Sequence, residues 1–167
     1  MADTVLVHPN RDKAESQATR AAVIMLLFTS AGLIAIITIG GWPKLAGAQV
    51  VAIAIVLVYL VMAFYVGRWN RGVLPVAAAL GVLMAILAAV AAPGWFDRDK
   101  SGFANPPLEP SILGLLTILL VPVCLLLIAF AMRGFQQKWN VEVEVAREEA
   151  EGRRPRDFDE GQPSPAG

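Results

Sequence analysis

A chain of 167 residues that is 56% apolar and only 17% charged is poor in charge for a soluble domain, where about a quarter is usual. Its mean hydropathy of +0.59 points the same way. Lysine plus arginine number 14 and so do aspartate plus glutamate, which leaves no net charge to draw a nucleic acid. One cysteine, Cys124, allows neither an intrachain disulfide nor a cysteine metal cage.

In chain order, residues 1–20 form a polar arm of mixed charge that holds the single histidine, His8. Its last part, from Arg11 to Arg20, is suited to extending the first helix into water. Four apolar blocks follow, at about Ala21 to Ile39, Ala48 to Gly67, Val73 to Ala92 and Ile112 to Met132. Crossing about 30 Å of hydrocarbon takes roughly 20 residues of helix. None of the four blocks contains Asp, Glu, Lys, Arg or His. A charge at mid-bilayer costs at least about 2.5–3.5 kcal/mol, so four clean blocks predict four transmembrane helices. They must be helical, because lipid offers no hydrogen bond to a peptide group and the blocks lack the alternation of a barrel strand. The predicted fold is an all-α membrane protein, an up-down-up-down four-helix bundle over residues 21–132.

Trp42, Trp69, Trp95 and Trp139 follow the four blocks in turn, and with alternating passes two fall at each interface. Arg11, Lys13, Arg20, Arg68, Arg71, Arg133, Lys138 and Arg147 lie on one side; Lys44, Arg98 and Lys100 lie on the other. The richer side is expected in the cytoplasm, which places both termini there and the chain in the cell membrane. Ala46-Gly47-Ala48 has the small-x-small spacing of a signal cleavage site. The first block, about 19 residues, exceeds the roughly 7–15 of a signal core and is expected to stay as a span.

The connections at Gly40 to Gly47 and Arg68 to Gly72 are short, so the first three helices are expected as adjacent antiparallel neighbours. The third helix carries Ala77, Gly81, Ala85 and Ala89 at steps of four, widened by Ala78 and Ala88. In lipid, small residues mark close contact, so this helix is expected at the centre, or against a partner protein or a second copy. Pro122 in the fourth helix predicts a bend. Residues 133–151 continue as a helical or strand-like extension. Val141-Glu142-Val143-Glu144-Val145 alternates like a strand, but a short helix after a break at Gly134 is the preferred reading. Residues 152–167 read as a disordered tail.

Absences bound the function. The spans hold no ligands for haem or di-iron, no paired cysteines and no embedded carboxylate for proton coupling. Asp97-Arg98-Asp99-Lys100-Ser101-Gly102 resembles the opening of a calcium loop, but Leu108 stands where the bidentate glutamate belongs. No catalytic, cofactor-binding or metal residue is therefore predicted. The expected role is a non-enzymatic subunit, assembly factor or scaffold of a membrane complex, with the lipid bilayer and another membrane protein as partners. The alternative is an oligomeric channel or carrier for a neutral or weakly polar solute, lined by Thr29, Ser30, Thr38, Tyr59 and Thr117.

Overall fold

The computed structural model describes residues 4–45, 47–97 and 107–146. A strand β1 (Thr4–Val7) and a single turn α1 (Pro9–Asp12) precede the long helix α2 (Ala14–Gly40). A 3-10 turn at Trp42–Lys44 leads to α3 (Gln49–Gly67), then α4 (Val73–Phe96), α5 (Pro110–Gln136) and a strand β2 (Val143–Ala146). Among the described residues, α2, α3, α4 and α5 are long and apolar enough to cross a membrane. The chain is a multi-pass integral membrane protein by that criterion.

The helices overrun the apolar blocks at polar ends. α2 starts seven residues early, with Glu15 in its first turn, where an acid suits the helix dipole. The Thr19 hydroxyl bonds back to the Glu15 carbonyl at 2.8 Å. α4 passes through Pro93 to Phe96, and α5 opens with Pro110 in its first turn, where a missing N–H costs little. α5 runs through Pro122 as one helix.

Gly134 does not break α5. A side chain there would meet the Trp139 ring at 3.0 Å, so glycine instead leaves room for the indole against the helix. The preferred helix beyond it is absent among the described residues, which end at Ala146; residues 147–151 lie outside them. Residues Val143–Ala146 pair antiparallel with Thr4–Val7, in the register Val5 with Val145 and Val7 with Val143. The alternating pattern was the true signal: Val145 is buried and Glu144 is exposed. A strand needs a partner, and the partner lies some 140 residues away in the first arm. The former disordered-tail expectation for 152–167 lies outside the described residues.

The packing order also differs from the expectation. α4 rests mainly on α5, α5 also on α2, and α2 on α3, while α3 and α4 touch only lightly. The inner pair is therefore α2 and α5, and the third apolar helix is peripheral. Its small residues are used inside the protein. Ala77, Ala78, Gly81, Ala85 and Ala88 are buried. A Cβ at Gly81 would stand 3.1 Å from Ile128 Cγ1 and 3.5 Å from the Cys124 carbonyl. The ridge expected at the centre or against a partner packs on α5 at Gly81, while Ala89 faces outward. Burying apolar surface gains little inside lipid, so close backbone approach at small residues decides which helices meet. A short link between α3 and α4 holds their joined ends near each other and nothing more.

Candidate functional site

Three features gather the polar side chains of the bundle. The first is a clasp at the end where both arms lie. Trp139 is fully buried and stands edge-on to Trp69, with ring centroids 5.3 Å apart. Arg20 lies over the Trp69 ring at 4.5 Å, and Arg11 approaches it at 6.0 Å. Trp69 adopts φ 61°, a left-handed conformation costly for a bulky residue, and this aromatic and cationic shell holds it there. Lys138 likewise turns at φ 49° and sends the chain back toward β1.

The arginines of the clasp close helix ends. The last carbonyls of a helix have no partner within it. Arg20, from α2, donates to the Val66 carbonyl at 3.3 Å and to that of Gly67, at the end of α3. Arg71 donates to the Phe135 carbonyl at 2.6 Å, at the end of α5, and its guanidinium sits 4.1 Å from the Phe135 ring centre. Arg11 donates to the Trp139 carbonyl at 3.1 Å, and Asn10 to that of Lys138 at 3.1 Å. Gln137 donates to the Thr19 hydroxyl at 3.1 Å and accepts from the Trp139 indole at 3.1 Å. His8 and Glu142 approach to 3.4 Å beside the strands. Sequence reasoning read these cations as a guide to membrane orientation and missed their bonding. The available signal was the position of Arg20 and Arg71, one residue before the first apolar block and four beyond the second.

The second feature is a polar nest at mid-bundle. Ser30 of α2, Tyr59 of α3 and Cys124 of α5 are each fully buried. The thiol is neighbour to both hydroxyls. Neither Ser30 Oγ nor Tyr59 Oη has a partner with full hydrogen-bond geometry. A thiol is a weak donor and acceptor, so this contact is a poor substitute for an oxygen or nitrogen partner.

The third feature is a cleft of about 510 Å³ between α3 and α4, at the end away from the clasp. Its walls come from the late turns of α2 and α4 and the early turns of α3 and α5, and Lys44 and the buried Trp95 also line it. Thr38 and Thr117 both line it. Their hydroxyls bond to their own helices, at Ile34 (2.6 Å) and Leu113 (2.7 Å). A shallower groove of about 630 Å³ runs outside α4 and α5, past Ala89, Phe96, Ile118 and Pro122, with Asp97 at its edge.

The five residues of the predicted solute path are therefore divided. Thr29 is exposed on the outer face and bonds to Met25 at 2.8 Å. Ser30 and Tyr59 belong to the nest, and Thr38 and Thr117 to the cleft. Ile34 and Leu120, both buried, stand in the walls between those levels. Of the calcium-like loop only Asp97 is described; residues 98–106 lie outside the described residues. Among the described residues, no group of three or more His, Cys, Asp or Glu is placed to hold a metal ion. No family model, curated protein or solved structure matches the chain.

Proposed function

We propose that this chain is a non-enzymatic membrane protein that serves as a small subunit, assembly factor or scaffold of a membrane complex. It crosses the cell membrane up-down-up-down, with the clasp and both termini in the cytoplasm. The observation that supports this reading is the clasp itself. Many directional contacts hold two arms in one ordered platform, and that order serves no interior chemistry. On it sit two paired strands, each with an outer edge that pairs with nothing among the described residues. A two-stranded sheet is marginal alone, and a free edge is the pattern to which a partner adds a strand. Leu6 (55% exposed) and Val143 (43% exposed) supply apolar contact beside those edges.

The solute-path alternative has less support, because Thr29 points away from the others and Thr38 and Thr117 already have acceptors.

The test is affinity purification from native membranes at natural expression, in mild detergent. A companion membrane protein is expected in stoichiometric amount with the wild type. It should fall several-fold with Leu6→Lys or Val143→Lys, while the four helices stay folded. Recovery of lone monomers from the wild type would overturn the proposal.

A further inference from the structure

The cleft between α3 and α4 differs from the rest of the bundle surface in three ways. It is concave, it opens sideways between two helices that cross the membrane, and its rim carries a cation. From Gln49 to Val58, the first half of α3, no side chain is buried. α3 and α4 touch only lightly, and the cleft lies between them. Along α4 its lining runs from Met84 to Trp95, about 16 Å of helix at 1.5 Å per residue. That is close to one leaflet, half of a hydrocarbon layer about 30 Å thick.

The chemistry of the walls limits the occupant. Ala52, Ile55, Leu87, Ala88 and Leu120 offer only hydrocarbon. The two threonine hydroxyls are already bonded to backbone carbonyls, so nothing inside calls for a polar solute. Size favours a slender occupant. One helical turn about 10 Å wide and 5.4 Å long displaces roughly 400 Å³. A cleft of about 510 Å³ thus takes little more than one turn, whereas a spanning helix has five or more. A flexible hydrocarbon chain fits both the volume and the depth. Lys44 lines the cleft from the connection that follows α2, the level of a lipid headgroup, while Trp95 lies buried in the wall.

We propose that the α3–α4 cleft is a lipid-binding site. It takes one acyl chain of an anionic phospholipid, with the phosphate beside Lys44. The outer groove over α4 and α5 serves as an internal contrast, because Asp97 at its edge repels a phosphate.

The experiment uses full-length protein in phosphatidylcholine vesicles. They contain a small fraction of phosphatidylglycerol with a photoreactive diazirine in its acyl chain, and labelled positions are mapped by peptide mass spectrometry. Labelling is expected several-fold higher at Ala52–Ile55 and Leu87–Ala91 than at the lipid-facing Val61 and Val82. Ala52→Trp and Ala91→Trp fill the cleft from positions that are not buried, and each should abolish that excess. Lys44→Gln should lower labelling several-fold without moving it. A phosphatidylcholine probe should label the wild-type cleft correspondingly less. Even labelling around all four helices would overturn the site, and so would an excess that survives both tryptophan variants. Equal labelling by the two lipids would overturn the headgroup assignment. Loss of cleft labelling as protein density rises would show that a second copy takes the place, and would overturn the lipid.

Discussion

Two halves of one helix behave differently. From Gln49 to Val58, α3 has no fully buried residue, and Ala52, Ile55 and Val56 are half-buried; from Tyr59 to Val66 it buries Tyr59, Met62, Ala63 and Val66. Both halves are almost wholly apolar, so hydrophobicity does not separate them. What separates them is the surroundings. The second half ends in the clasp, where Arg20 caps its carbonyls and Trp69 leans on Trp139. The first half ends near Lys44, on the side where the cleft lies between α3 and α4. In lipid an apolar face has no reason to leave its solvent, and tight closure comes from hydrogen bonds, stacked rings and small residues.

That contrast can be broken at its strong end first. All stabilities below are to be read by heating in detergent with a thiol-reactive dye, because Cys124 is the only cysteine and is fully buried. Trp139→Ala removes the centre of the clasp and should cost about 3–5 kcal/mol, as large core truncations do. Arg20→Ala removes charged hydrogen bonds to two carbonyls and should cost about 1.5–3 kcal/mol. Gly81→Val drives a branched side chain against Ile128 and should cost about 1–3 kcal/mol. Its association state, read by light scattering, should stay that of the wild type, since the ridge is engaged within the chain. Dissociation of an oligomer by this variant would restore the ridge as a contact between proteins. Tyr59→Phe removes a hydroxyl that lacks a good partner, and should change stability by less than about 1 kcal/mol. At the open end, Val51→Ala should fall within about 0.5 kcal/mol, and a larger loss would show the cleft to be closed.

Much of the fold was legible because lipid imposes so strict a rule. Four uncharged stretches of sufficient length could be little else, and α3 matches its block to within a residue. The packing order was not legible. Connection length told which helices follow one another, but contact depends on which faces carry small residues, and Ala77, Gly81 and Ala85 meet α5 from across the chain. The strand at Val143 was visible as an alternation, yet its stability depends on Thr4–Val7, a partner no local window contains. The cleft was invisible, since nothing at Ala52 or Ala88 distinguishes a wall from a packed face. The clasp was half visible: the cations stood out, and their acceptors, backbone carbonyls at helix ends, leave no mark in a sequence.

The pairing of Thr4 with Ala146 also sets an order of events during translation. The first strand leaves the ribosome before any span exists, and its complement emerges only after the fourth has been made. Closure of the sheet therefore reports that every segment between has been delivered. A nascent chain cut anywhere before Val143 leaves Thr4–Val7 without the strand it pairs with.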